Sequence, residues 1–187
     1  TTVQDAPMLD SGLMDENTSS EVLEMQNFQK LEETIQEYLN ENQLSESVTV
    51  LEEEAGLLLR FQDNILFDSG SADLKPESLE IMSYIAQLLN AEDFEDKFIS
   101  IEGHTDNVPM NSPRYPSNWE LSVGRSSNVV RFLVENNNMD PKRISASGYS
   151  EYHPVAPNDN AENRAKNRRV DILILKTIHY KDSSKNQ

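Results

Sequence analysis

Residues 118–133, Asn-Trp-Glu-Leu-Ser-Val-Gly-Arg-Ser-Ser-Asn-Val-Val-Arg-Phe-Leu, decide how the rest of the chain is read. Leu121, Arg125, Val129 and Phe132 recur at helical spacing, and Ser117 with Glu120 has the Ser-x-x-Glu spacing that closes a helix start. The segment reads as a helix from 118 to about 136, with Arg125 on its inward stripe. Burying an unpaired guanidinium is costly, so Arg125 must face a carboxylate of the protein, a carboxylate of a ligand, or both. Gly124, Ser126 and Ser127 leave room around it.

Just upstream, residues 98–102 alternate as a strand and run into Gly103-His104-Thr105-Asp106, then a loop carrying Pro109, Pro113 and Pro116. A loop that long in a small domain is usually functional. Asp106 lies where a strand exits into a loop, the place where sheets of this kind collect ligands, and is the natural counterpart of Arg125. A fixed carboxylate beside a fixed guanidinium complements a zwitterion: the acid takes an ammonium and the arginine grips a carboxylate in a fork. The alternative is an internal salt bridge that ties loop to helix, and the spacing alone does not separate the two.

Further outward, 48–51 and 57–61 read as a hairpin and 73–90 as a helix with Pro76 in its first turn. Strands follow at 143–148 and 169–176, with a short helix between them. The order predicts an α+β fold, a mixed sheet with helices packed on it and a βαβαβ-type core after an N-terminal hairpin. Before it, Val22, Met25, Phe28, Leu31, Ile35, Tyr38 and Leu39 mark an amphipathic linker helix over 21–44, with Ser20 able to cap its start. Its stripe must pack on the domain or on a second copy of the chain. The expected division is a flexible acidic linker over 1–20, the linker helix over 21–44, a domain over 45–178 and a disordered tail over 179–187.

The net charge of −17 is uneven: residues 1–60 carry 14 acids against 2 bases, so −12 of it lies in the first third. Such an arm is repelled by phosphate backbones and anionic lipid headgroups, which argues against nucleic acid as a partner. Between 103 and 176 the balance reverses, with 8 acids and 10 bases, so anionic ligand groups are tolerated there. Arg164, Lys166, Arg168 and Arg169 form a short basic run without interleaved aromatics and read as a solvated helix end. The chain has no cysteine, which excludes disulfides, thiol nucleophiles and cysteine-bound zinc. No apolar run approaches the roughly 20 residues needed to span a bilayer.

The pattern Asn118-x-x-Leu121-Ser122-x-x-Arg125-Ser126-x-x-Val129-x-x-x-Leu133 resembles the signature of OmpA-like peptidoglycan-binding domains, with Ser126 in place of alanine. The same family is matched by Phe67-Asp68-Ser69-Gly70-Ser71-Ala72, by Gly103-His104-Thr105-Asp106, by Gly148-Tyr149-Ser150, where Ser150 replaces a common glycine, and by Asn167-Arg168-Arg169-Val170. These five motifs stand in order over residues 48–175. The resemblance implies non-catalytic recognition of the stem-peptide diaminopimelate of peptidoglycan, with Asp106 and Arg125 matching the family's ligand-holding acid and base. By the same match Thr105, Asn118, Leu121 and Ser122 would line or shape the pocket, and Asp68 and Arg169 would lie near it or brace it.

Asn118-Trp119-Glu120 after Tyr115-Pro116-Ser117, and Asp106-Asn107-Val108-Pro109 before them, are similar to the version of the motif in flagellar motor stator B subunits. That likeness implies an anchor that holds a stator unit to the cell wall, and a homodimer. It also implies a single upstream membrane segment that this chain lacks, through which a stator A subunit is met. The chain is then read as a soluble, extracytoplasmic portion of a cell-membrane protein. A general envelope tether of the peptidoglycan-associated lipoprotein or outer-membrane type is the alternative within binding modules. From another class, His104, Asp106 and Ser122 are the parts of an acyl-transfer site, so a cell-wall hydrolase is the enzyme alternative. No nucleophile elbow is present, however. No cofactor is implied, and no paired-histidine spacing suggests a metal. Trp119, in a helix's first turn, is expected to pack on the domain rather than join the site.

Overall fold

The computed structural model describes residues 16–177. Helix α1 (Glu16–Glu41) precedes the hairpin β1 (Val48–Glu53) and β2 (Gly56–Gln62). Then come α2 (Asp63–Leu66), α3 (Ser78–Leu89), β3 (Ile99–His104), α4 (Asn118–Asn137), β4 (Ile144–Gly148), α5 (Ala161–Asn167) and β5 (Arg169–Leu175). The strands form one sheet in the order β1-β2-β5-β3-β4. β3 and β4 run parallel and are joined through α4, whereas every other neighbouring pair is antiparallel. This is the mixed α+β sheet that the order of elements predicts.

Period-two alternation sets the two faces of the sheet. Leu57, Leu59, Phe61, Val170, Ile172, Ile174, Ile99 and Ile101 are each 2% exposed or less and join one core cluster with residues of α1, α3 and α4. The alternate positions Arg60, Asp171 and Glu102 align across the strands on the other face. Helix α4 rides low on the C-terminal ends of β3 and β4, because a Cβ on Gly103 would stand 2.0 Å from Ser122 O and one on Gly148 2.5 Å from Val123 N. Only residues without a side chain permit that approach.

The helix starts differ from expectation in two places. α1 is already helical at Glu16, the first described residue, so residues 16–20, expected in the linker, are helical and Ser20 lies inside the helix rather than capping it. The rest of the expected linker and the 179–187 tail lie outside the described residues. α3 begins at Ser78, and Pro76 sits in the turn before it. The cause is a bridge between Phe67 and Leu74, with Lys75 N–H donating to Leu66 O at 2.8 Å, which holds the preceding residues out of the helix.

Of the two partners open to the α1 stripe, this chain's own domain takes most of it. Phe28, Leu31, Ile35 and Leu39 are buried, Tyr38 stacks on Tyr84 at 3.9 Å, and Phe28 meets the edge of Phe94 at 5.6 Å. Glu24 accepts from the Thr177 N–H and hydroxyl at 2.9 and 2.7 Å and pairs with Lys97 at 3.1 Å. Val22, Leu23 and Met25 stay exposed.

Candidate functional site

α4 starts where sequence places it. The Ser117 hydroxyl accepts from Trp119 N–H at 3.1 Å and donates to the Glu120 carboxylate, satisfying one of the orphan amides of the first turn. Asn118, the first helical residue, turns its amide onto the carbonyls of Asp106 and Val108 at 3.3 and 3.0 Å, clamping the loop after β3 to the helix. Thr105 N–H donates to Ser150 O at 2.9 Å, and the Thr105 hydroxyl donates to Asp106 O at 2.8 Å. The loop is therefore held from both sides, and its acid is fixed.

A cleft of about 370 Å³ opens between this loop, the 63–70 segment, α4 and Arg168. Thr105, Asp106, Asn118, Leu121 and Arg125 line it as the sequence suggests, together with Asp63, Asn64, Val108, Met110 and Arg168. Ser122 does not line it. Its hydroxyl donates to Trp119 O and accepts from Ser150 N–H, so it joins α4 to the 149–152 turn. Asp68 has an exposed side chain and contributes its carbonyl, which accepts from Arg125. Arg169 lies on the opposite face of the sheet, bound to Asp171 at 3.1 Å and to His153 O at 3.0 Å.

Arg125 is 2% exposed, as its place on the inward stripe requires, but its direct partner is not Asp106. Its Nη1 donates to Asp63 at 3.0 Å, Nε to Ser71 O at 2.8 Å and Nη2 to Asp68 O at 3.3 Å, and the guanidinium sits 4.9 Å over the Phe67 ring. Burial pushes the guanidinium below its ordinary pKa, and the Asp63 charge pulls it back in part. Asp106 instead holds Arg168 at 2.6 Å, and its other oxygen accepts from Val108 N–H at 2.9 Å. Asp63 connects the two arginines, with Arg168 Nε 3.6 Å from the oxygen that Arg125 binds. The expected acid and base thus face one cleft, each neutralised by a residue that sequence reasoning missed. Arg168 is no solvated helix end.

The parts of the hydrolase alternative are not assembled. His104 ends β3 on the face opposite the core, 3% exposed, stacked on Tyr149 at 5.1 Å, and neither ring nitrogen has a hydrogen-bond partner among the described residues. Ser122 and Asp106 are engaged as described above. Glu102, His104 and Asp171 bring ligand atoms within 4.8 Å of one another. Both Asp171 oxygens already bind Arg60, and one also binds Arg169, so a cation would enter beside two guanidiniums. Trp119 is 48% exposed and stacks on Tyr152 at 5.4 Å rather than packing into the core.

A mixed sheet that presents a paired acid-and-arginine cleft at the exit of β3 defines a class of binding domain. The sequence model of the OmpA family matches residues 66–168, and the chain belongs to that family. It is 38% identical to motility protein B of Bacillus subtilis (strain 168) over 152 residues, covering 81% of this chain and 58% of that protein. The chain therefore spans little more than half of that relative. Among solved structures, a MotB-like protein from Desulfovibrio vulgaris is 29% identical with a TM-score of 0.72, covering 81% of this chain and 90% of the other. The cell wall anchor of the T6SS from Pseudomonas aeruginosa is 33% identical with a TM-score of 0.66, covering 75% and 96%. Among the described residues, no helix is long and apolar enough to cross a membrane.

Proposed function

We propose that this chain is a non-catalytic anchor that binds peptidoglycan through the cleft and holds a flagellar motor stator unit to the cell wall. The observation that carries the reading is the cleft's composition. Two carboxylates, Asp63 and Asp106, and two guanidiniums, Arg125 and Arg168, line one solvent-open hollow whose charges balance. A zwitterionic side arm such as that of diaminopimelate meets both signs there, the ammonium on Asp106 and the carboxylate on the arginines. Supporting the same reading, the motility protein B relative matches most of this chain, and a solved relative is named a cell wall anchor.

In this proposal a single upstream membrane segment joins the stator A subunit and the described portion lies outside the membrane. A homodimer forms along the exposed Val22, Leu23 and Met25 of α1. The functional division into an acidic linker, a linker helix that the structure gives as Glu16–Glu41, a domain over 45–178 and a tail belongs to the same proposal. The test is co-sedimentation with purified diaminopimelate-type peptidoglycan. The parent chain is expected to pellet with the polymer and Asp106→Asn to stay in solution while still folded by circular dichroism. A parent that remains soluble, or an Asp106→Asn variant that pellets equally, refutes the cleft. A full-length gene without one upstream inner-membrane helix turns the reading to a general envelope tether.

A further inference from the structure

The cleft's internal ion pair bears on which ligand it accepts, an inference that rests on the zwitterion reading above. Each oxygen of Asp106 already holds a donor, Val108 N–H on one and Arg168 on the other, and the Asp106 side chain is only 8% exposed. An entering ammonium therefore competes with Arg168 for that oxygen. The two arginines are not equivalent in this contest. Arg125 is fixed by three acceptors and buried, whereas 38% of the Arg168 side chain is exposed and, among the described residues, Asp106 supplies its one side-chain hydrogen bond, with Asp63 at 3.6 Å. Arg168 is the partner that yields.

Once displaced, the Arg168 charge has lost its short contact and retains N–H donors free to bind. A ligand carboxylate beside the incoming ammonium supplies the missing acceptor, so the pair exchanges partners without a net loss of charge-assisted bonds. An ammonium that arrives alone displaces Arg168 and gives it nothing, and it also meets two guanidiniums of its own sign. The geometry points to Arg168 as the specificity-determining residue of the cleft: it admits an amine accompanied by a carboxylate and rejects a side chain that ends in an amine alone. In cell-wall chemistry this separates diaminopimelate from lysine at the same position of the stem peptide.

The test is calorimetric titration of the chain with two synthetic stem peptides that differ only in the diamino residue, diaminopimelate or lysine. The parent is expected to favour the diaminopimelate peptide by on the order of tenfold or more, the scale of one charged hydrogen bond left unmade. Arg168→Gln is expected to bring the two affinities within about threefold, chiefly by strengthening lysine binding, and Arg168→Lys to restore a preference. If Arg168→Gln discriminates as the parent does, this inference falls while the cleft reading stands. Selectivity lost in Arg168→Gln and not recovered in Arg168→Lys overturns it too, because the charge is then not the cause. If the parent binds neither peptide, or Asp106→Asn binds both as the parent does, the cleft reading itself falls and takes the inference with it.

Discussion

Replacing Arg125 by methionine, which keeps the unbranched apolar stem of the side chain and removes the guanidinium, should destabilise the domain more than any surface change. The structure sets the size. The substitution strips donors from Asp63, from Ser71 O and from Asp68 O, and removes the cation above Phe67. Asp63 has a side chain 12% exposed and, among the described residues, retains only Arg168 as an ionic partner, at 3.6 Å. Breaking a buried pair by deleting one partner costs about 3–5 kcal/mol, because the remaining charge stays buried. The desolvation that Arg125 itself endures offsets part of what its bonds supply, so the lower half of that range is expected. For a chain of this length each kcal/mol moves the melting temperature by about 2–4 °C, which makes the expected drop about 6–16 °C by circular dichroism. Asp63→Asn combined with Arg125→Met should lose less than the sum of the two single changes. A drop below about 2 °C, or strict additivity, would refute the claim that Arg125 is held by a buried ion pair.

Two other expectations concern how the cleft and α1 are held. Gly103→Ala places a methyl group against Ser122 O and should lift α4 from β3, lowering the melting temperature by several degrees and weakening peptidoglycan retention together; an unaltered melt would contradict the close approach. Burial works to raise the Glu24 carboxyl, but hydrogen bonds from Thr177 and the Lys97 ammonium outweigh it, so its pKa lies below the ordinary 4.5. A depressed carboxyl pKa adds stability above the unfolded value, and that stability is lost as pH falls through the folded one. Glu24→Gln should therefore melt below the parent at neutral pH, with the gap closing under acid conditions below pH 4.5; a gap constant with pH would exclude the clasp.

The sheet was legible because alternation and helical periodicity are local signals, and β2, β3, α4 and β5 all carry them strongly. The burial of Arg125 was legible for the same reason, since its neighbours on the stripe are apolar. Its partner was not. Asp63 stands 62 residues away in a one-turn helix with no periodicity of its own, whereas Asp106 advertised itself at a strand exit. Arg168 was hidden by company: with Arg164, Lys166 and Arg169 beside it, only the turn out of α5 reveals that it points into the cleft and Arg169 to the far face. Pro76 misled because proline suits both a first helical turn and the turn before it, and the Phe67–Leu74 bridge, a tertiary contact, decided between them.

The position of β5 has a temporal meaning. It is the last strand in the described chain yet lies between β2 and β3, so the β1-β2 hairpin and the β3-α4-β4 unit have no shared sheet until it arrives. The two halves emerge from synthesis as separate fragments, each with an apolar face and an open edge. Arg168 immediately precedes that strand, so the insertion that closes the sheet also delivers the residue that occupies Asp106. A nascent or truncated chain ending before residue 168 would present Asp106 without its counter-charge and on no finished scaffold. Closure of the sheet and occupation of Asp106 therefore come in a single step, the insertion of β5.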